Sequence, residues 1–151
     1  MYNKNILNFN RSIGEIHMAV PAAVAIAVAG TYVKAAGTTL LDTAVNFDMP
    51  LNNRLRCLNK PGAKNYLLNC SGSMSTTAAN NSMAIRIYIN GIADTSSTIQ
   101  TRSGTGGQPV AFATTIIPNL TLNDYVEVWV TNITATNAVT VTNLTLTITE
   151  L

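Results

Sequence analysis

The side chains that could carry out catalysis are few and lie far apart in the sequence. There is one histidine, His17, and no cysteine or carboxylate accompanies it at the spacing of a metal motif. Asp124 and Glu127 are three positions apart, so on a strand they point to opposite faces and do not form an acid–base pair. The carboxylates are dispersed: Glu15, Asp42, Asp48, Asp94, Asp124, Glu127 and Glu150. We therefore predict that the protein is not an enzyme and has no cofactor or metal.

Two further stretches match binding motifs only in part. Residues 104–107 are rich in glycine, but no Gly-Lys-Ser/Thr and no strand-to-helix context follows, so a flexible loop is a better interpretation than a phosphate loop. Asp48 and Asp94 could join carbonyl oxygens around calcium, yet the sequence has no Asp-x-Asp cluster. Neither stretch therefore predicts a ligand.

Basic residues cluster once in the sequence, between positions 54 and 64. No aromatic platform accompanies this cluster, and a formal net charge of +2 is small for a protein that binds nucleic acid. We interpret the cluster as a solvated hairpin and predict no nucleic-acid partner. It comprises Arg54, Arg56, Lys60 and Lys64.

The composition indicates a surface that is polar but weakly charged. Charged residues make up 11% of the 151 residues, against about a quarter in an average soluble protein. Neutral amides and hydroxyls are cheaper to remove from water than ions, so such a surface packs closely against neighbours. This favours an assembled structural protein over a freely diffusing enzyme.

The chain has two cysteines, Cys57 and Cys70. A hairpin with its loop at 60–64 would pair Cys57 with Leu68 and Leu55 with Cys70, all on one face. The thiols would then be diagonal neighbours, buried as small apolar groups, and a disulfide between them is the alternative.

Strands must position these side chains, because short strand patterns follow one another between Gly, Asn, Asp and Pro. Ile85, Ile87 and Ile89 alternate with polar residues, and Asn90–Gly91 can then adopt the positive φ angles of a tight hairpin. No helix longer than a turn is indicated. The sequence predicts an all-β, antiparallel two-sheet sandwich of jelly-roll type.

Two strands near the C-terminus have informative patterns. In 120–131 an Asn-Asp turn precedes a strand in which valines alternate with Tyr125, Glu127 and Trp129, and the pattern leaves open which set faces the core. In 139–151 the apolar positions change phase near Thr142 and Asn143. This change predicts a one-residue β-bulge.

The N-terminal part divides into two predicted pieces. Residues 1–19 hold scattered apolar side chains, typical either of an arm that orders against a neighbouring subunit or of a frayed terminus. Residues 18–29 superficially resemble a signal peptide, but alternation from Val20 is better interpreted as a long first strand, too short to span a bilayer. We assign an arm to 1–19, one domain to 20–151, and no export signal.

Several spaced motifs together resemble a known family. They are GTYVKAAGTT at 30–39, VNF at 45–47, NNRL at 52–55, IRIYING at 85–91, LNDYVEVWV at 122–130 and VTNLTL at 141–146. From residue 20 to the C-terminus the chain resembles the TNF/C1q-like jelly-roll modules of tailed-bacteriophage virion proteins. Those modules occur in capsid decoration proteins, head fibres and tail-fibre tips.

This resemblance implies a ten-stranded jelly roll that assembles as a homotrimer around a threefold axis. In the family, the sheet that contains the first and last strands lines the axis, and the strand before the Asn-Asp turn belongs to it. Carried over to this chain, the candidates for trimer contact are Phe112, Ile116, Leu144, Leu146 and Leu151.

The function implied is that of a virion structural protein, a capsid decoration (cement) or short head-fibre protein on the phage particle surface, made in the host cytoplasm. Its partners would be further copies of itself and the major capsid or another virion protein, without a membrane. Anchor candidates in the arm are Ile6, Leu7, Phe9, Ile13 and Ile16. The alternative is a receptor- or carbohydrate-binding tip of a tail fibre, which would use the loops at 76–82 and 97–109.

Overall fold

Strands make up all the regular secondary structure of residues 11–59 and 62–151, the part of the chain that the computed structural model describes. Within these residues the strands are β1 (Ile13–Pro21), β2 (Ala23–Val24), β3 (Val33–Lys34), β4 (Gly37–Val45), β5 (Phe47–Asp48), β6 (Arg54–Cys57), β7 (Lys64–Thr76), β8 (Ser82–Ile89), β9 (Ile92–Arg102), β10 (Val110–Ile116), β11 (Asn119–Leu120), β12 (Tyr125–Asn132) and β13 (Val139–Glu150).

The strands form two antiparallel sheets that pack face to face. Sheet 1 has the order β10-β7-β13-β1-β4, with β11 added to β7 and β2 added to β13. Sheet 2 has the order β5-β6-β12-β8-β9, with β3 added to β12. The predicted all-β, two-sheet jelly roll is confirmed. As the resemblance implies, β1 and β13 are neighbours in sheet 1, and β10 lies in the same sheet.

The core lies between the sheets and is filled by alternate residues of the facing strands. Ile16, Leu146 and Ile148 of sheet 1 are fully buried, as are Leu55 and Ile87 of sheet 2. Complete burial of one such side chain stabilises the fold by about 1.5–3 kcal/mol. The alternation thus fixes which side chains of each strand remain on the outer face of its sheet.

Strand β12 shows how this alternation decides an open question of the sequence. Its valines, Val126, Val128 and Val130, are fully buried in the core. Tyr125, Glu127 and Trp129 therefore project from the outer face of sheet 2.

The predicted hairpin and bulge are both present. Asn90 and Gly91, with φ angles of 53° and 77°, join β8 to β9 in an antiparallel hairpin. The register between β13 and β7 shifts between Val141 and Asn143, where the bulge was predicted. At this point the backbones come so close that a Cβ on Gly72 would lie 2.1 Å from the Asn143 carbonyl oxygen. Only glycine fits there without a rearrangement.

The first strand lies earlier in the chain than predicted. Strand β1 covers Ile13–Pro21 and pairs with both β13 and β4, with Ile16 and Met18 in the core and Glu15 and His17 outside. The real amphipathic alternation is therefore in the segment that was assigned to the arm. Its spacing was obscured by Gly14 and His17 among the apolar residues.

The predicted long strand from Val20 is wrong, because only Ala23–Val24 is a strand after Pro21 in that stretch. Val20 and Val28 are 60% and 62% exposed. Apolar residues occupy both phases of this segment, so its alternation contains no polar phase that would distinguish an outer face from a core face.

Two of the anchor candidates lie within the sandwich. Ile16 is fully buried in the core and Ile13 is half-buried in β1. The position of β1 leaves no separate arm between Ile13 and residue 19. The other anchor candidates, Ile6, Leu7 and Phe9, lie outside the described residues.

The predicted hairpin between positions 54 and 73 is also wrong. Strand β6 pairs with β5 and β12 in sheet 2, whereas β7 pairs with β10, β11 and β13 in sheet 1. The chain between them crosses from one sheet to the other, a choice that two adjacent strand patterns do not reveal. Cys57 and Cys70 are buried as predicted and are free thiols.

Candidate functional site

The outer face of sheet 1 is flat and uncharged along its strands β10, β7 and β13. Alternation places Ala111, Ala113 and Thr115 outward on β10. The outward residues of the other two strands are similarly small or neutral: Leu67, Asn69, Ser71 and Ser73 on β7, and Thr145, Thr147 and Thr149 on β13. A neutral surface of this kind is cheap to remove from water.

Several polar groups of this face bind one another. The hydroxyl oxygens of Ser73 and Thr142 are 2.7 Å apart, and Asn143 Nδ2 donates to Ser73 Oγ at 3.0 Å. Thr115 Oγ1 donates to Asn69 Oδ1 at 2.8 Å. A second protein surface could cover these groups without leaving them unpaired, which would otherwise cost about 1–3 kcal/mol each.

The edge formed by β1 and β4 has a different composition. His17 Nδ1 lies 2.5 Å from Asp42 Oδ2, and both side chains are about two-fifths exposed. Leu40 and Val45 are exposed large apolar residues on β4. Sheet 1 thus combines a small, neutral area with a partly apolar edge, a composition found where proteins contact other proteins.

The predicted trimer-contact residues do not lie on this outer face, apart from the chain end. Phe112, Ile116, Leu144 and Leu146 are at most 8% exposed and fill the core of the single chain. Leu151 is exposed after the end of β13. The other candidates taken from the resemblance are the large apolar residues of β10 and β13 in sheet 1, and these fill the sandwich. The side chains available for subunit contact are one position away, such as Ala113 and Thr145.

The outer face of sheet 2 is chemically different and is centred on Glu127. This carboxylate is 2% exposed and accepts from Arg54 Nε at 2.8 Å, from Lys34 Nζ at 3.0 Å and from Trp129 Nε1 at 3.1 Å. Burial alone would raise the pKa of Glu127, but the hydrogen bonds from Lys34, Arg54 and Trp129 outweigh it and hold the pKa below its usual value.

Aromatic side chains surround this carboxylate. The rings of Tyr88 and Trp129 stack with centroids 4.3 Å apart, and the Arg54 guanidinium lies 4.0 Å from the centre of the Tyr125 ring. Arg54 therefore does have an aromatic platform, contrary to the interpretation from the sequence. The sequence did not reveal it because β8 and β12 contribute the rings from distant segments. The one signal of this platform in the sequence was that Tyr125, Glu127 and Trp129 alternate with the valines of β12.

One end of the sandwich combines the start and end of the described chain. Ser12 donates from its backbone N and its Oγ to Glu150 Oε2, at 3.1 and 2.7 Å, and Lys64 Nζ bonds Glu150 Oε1. The hydrogen bond from Lys64, followed by those from Ser12, lowers the pKa of Glu150 to about 2. These contacts fix the point at which the chain enters β1.

The opposite end combines the two polar loops that were singled out in the sequence. Gly107 N donates to the Thr76 carbonyl at 2.7 Å, and Ser103 N donates to the Asn81 carbonyl at 3.0 Å. A Cβ on Gly106 would meet the Thr77 carbonyl oxygen at 2.3 Å. Residues 77–81 and 103–109 thus form one surface of Ser, Thr, Asn, Gln, Ala, Pro and Gly without a charged side chain.

Groups suited to catalysis or metal binding do not converge in residues 11–59 and 62–151. No three His, Cys, Asp or Glu side chains are grouped there as a possible metal site. Burial raises the pKa of Cys70 to about 12, which keeps this thiol protonated and unreactive at neutral pH. In the same residues, no helix has the length and apolar character to cross a membrane.

Comparison with known sequences identifies no relative: no protein-family profile and no curated protein matches the chain. Comparison of folds does find matches. Eiger TNF from S. frugiperda aligns with a TM-score of 0.61 and 11% identity, covering 93% of this chain and 92% of that one. Murine APRIL aligns with a TM-score of 0.59 and 11% identity, covering 93% and 99%.

A phage protein has the same architecture. The PRD1 vertex protein P5 aligns with a TM-score of 0.54 and 10% identity, covering 93% of this chain and 96% of that one. At such low identities the similarity concerns the fold alone. The chain is therefore a TNF-like jelly roll, and none of these three names describes an enzyme.

Proposed function

We propose that this protein is a non-enzymatic structural protein of a phage virion, a homotrimeric capsid decoration or short head-fibre protein. The observation that carries the proposal is the outer face of sheet 1, in which β7, β10 and β13 present only small or neutral side chains, several of them already hydrogen-bonded to one another. A threefold assembly would bury this face at little desolvation cost. The fold shared with a phage vertex protein supports the same class of function.

Native mass spectrometry tests the assembly directly. We expect a single species of three chains at micromolar concentration. A monomer that persists at high concentration would rule out the homotrimer. A dimer would contradict the threefold arrangement, because a dimer pairs one surface patch with itself, whereas a threefold ring joins two different patches.

The attachment to the shell is proposed to use the segment that precedes β1, in which Ile6, Leu7 and Phe9 are the apolar candidates. Ser12 and Glu150 fix the end of the sandwich from which that segment leaves. Deletion of residues 1–10 should abolish binding to purified empty capsids while the trimer remains intact. Unchanged capsid binding would exclude the anchor.

A second candidate function is a receptor- or carbohydrate-binding tip. It is favoured by the contact between residues 77–81 and 103–109, which form one uncharged polar surface at the end away from Ser12. Such side chains suit adaptable hydrogen bonding. Binding of the isolated protein to host cells would support this function, and binding only to capsids would support the first.

A further inference from the structure

The outer face of sheet 2 concentrates residue types that dominate binding surfaces. Four of the nine lysines and arginines of the chain lie on it opposite the outward residues of β12, in a protein with few charges overall. Aromatic rings and arginines supply most of the affinity at protein surfaces that bind ligands. The basic residues are Lys34, Arg54, Arg56 and Arg86.

These cations exceed the carboxylates beside them. Arg56 forms a bidentate ion pair with Asp48, with Nε 2.9 Å from Oδ1 and Nη2 2.5 Å from Oδ2, so these two charges balance each other. Lys34 and Arg54 share the single carboxylate of Glu127, which leaves one positive charge over. Arg86 makes no ion pair with any described residue. The part of the face around β12 therefore has two uncompensated positive charges, so its electrostatic complement is an anion.

Arg86 is held in a fixed orientation. Its Nε donates to Thr98 Oγ1 at 2.8 Å, and its guanidinium lies 4.2 Å from the centre of the Tyr32 ring. Among the described residues, its terminal amino groups have no hydrogen-bond acceptor. A planar guanidinium fixed by stacking, with two free amino groups, is preorganised to bind a carboxylate through two parallel hydrogen bonds.

The aromatic rings on this face are arranged in a way that disfavours nucleobases. Tyr88 and Trp129 stack on each other, while Arg54 covers Tyr125 and Arg86 covers Tyr32. Single-stranded nucleic acid binds by stacking its bases on free ring faces, and each of these rings has one face already occupied. Guanidinium, ammonium and hydroxyl groups remain, which favour a ligand rich in hydroxyls and carboxylates.

The charges also extend along the sheet. Arg86 is opposite Trp129 on β12, whereas Tyr88 is opposite Glu127, two residues earlier. Two residues of a strand span about 7 Å, so Arg86 and the group around Glu127 lie in neighbouring rows. A polymer with a carboxylate on each unit could contact both rows at once.

We propose that the outer face of sheet 2 binds an acidic polysaccharide whose sugar units bear ring carboxylates, with Arg86 as the principal carboxylate-binding residue. This proposal does not depend on the trimer. If sheet 1 lies at the trimer axis, sheet 2 faces outward and three such faces act together, which increases the apparent affinity for a polymer.

Calorimetric titration of the full chain with oligogalacturonic acid tests this proposal, with the fully methyl-esterified oligomer as the uncharged ligand. We expect binding of the acid and at least tenfold weaker binding of the ester, since the charge-assisted hydrogen bonds are lost. Arg86→Gln should weaken binding about tenfold or more, and Arg86→Lys should restore only part of it, because lysine lacks the planar fork.

Arg11→Gln is the matched control, because Arg11 is exposed before the start of β1 in sheet 1 and its loss changes the net charge equally. It should bind like the wild type. Equal weakening by both substitutions would overturn the proposal in favour of general charge attraction. Failure to bind the acid, or tighter binding of oligo(dT), would also overturn it. Thermal melting of each variant verifies that it is folded.

Discussion

The two outer faces of this sandwich have the same backbone geometry and opposite chemistry. Sheet 1 presents Ala113, Ser73 and Thr145 in a neutral layer, whereas sheet 2 presents Glu127 among basic and aromatic groups. Neutral hydroxyls lose little when water is removed, but exposed ions lose their hydration. This difference is the basis on which we propose sheet 1 for permanent contact with further copies of the chain, and sheet 2 for reversible contact with a charged ligand.

The largest effect is expected from a charge placed on the neutral face. Ala113→Arg puts an unpaired cation at the proposed subunit contact, where its burial would cost about 3 kcal/mol or more, so the trimer should dissociate more than a hundredfold more readily. Ala79→Arg adds the same charge to an exposed loop and should leave the trimer unchanged. Native mass spectrometry over a dilution series measures both. An intact Ala113→Arg trimer would remove the distinction between the two faces.

A smaller effect is expected when the central anion of sheet 2 is removed. Glu127→Gln leaves Lys34 and Arg54 close together without their shared carboxylate, and should lower the free energy of unfolding by about 2 kcal/mol. Asp48→Asn breaks a more exposed pair, screened by solvent, and should cost much less. Urea denaturation at one protein concentration compares them. Equal losses in the free energy of unfolding would mean that the buried ion pairs of Glu127 stabilise the fold no more than the exposed pair of Asp48.

Acid should weaken the contacts that Glu150 makes with Ser12 and Lys64 at one end of sheet 1. The pKa of Glu150 is about 2 in the folded protein, below its value of about 4.3 when unfolded. Its contribution to stability is therefore complete above about pH 4.3 and is lost as pH falls towards 2. This exposed pair should contribute about 1 kcal/mol or less.

Glu150→Gln should accordingly destabilise the protein at pH 6, and the difference from the wild type should shrink as pH approaches 2. Denaturation curves at several pH values measure this convergence. A difference that stays constant with pH would show that the carboxylate charge is not involved.

The smallest effect is expected from an apolar substitution within the neutral face. Thr147→Val preserves side-chain shape on β13, and Thr147 forms no side-chain hydrogen bond among the described residues. The free energy of unfolding should change by no more than about 0.5 kcal/mol, and the trimer should persist. Dissociation of the trimer would indicate that the Thr147 hydroxyl forms a hydrogen bond across the subunit contact.

Local features were the most predictable parts of the structure. Asn90–Gly91 adopts the positive φ angles of its hairpin, and the phase change of the last strand is the bulge beside Gly72. Each of these features depends on backbone requirements of one or two residues, which the sequence states directly. The first strand was misplaced, because residues 20–28 are all apolar and provide no polar phase.

The candidate surfaces were less predictable, since each is assembled from distant segments. The guanidinium of Arg54 meets the ring of Tyr125, more than seventy positions away, and the two polar loops meet through Thr76 and Gly107. Four of the five predicted trimer-contact residues are on the core side of sheet 1. In a strand, a shift of one residue exchanges the core face for the outer face.

By itself the sequence determined the all-β class, the turns, the bulge and the scarcity of charge, because these depend on residue type and on neighbours within a strand. Only the tertiary structure decided that β6 and β7 belong to different sheets, that the valines of β12 face the core, and that basic and aromatic residues surround Glu127 on the outer face of sheet 2. Strand pairing joins residues distant in the chain, so the faces of a sheet exist only once the pairing is fixed.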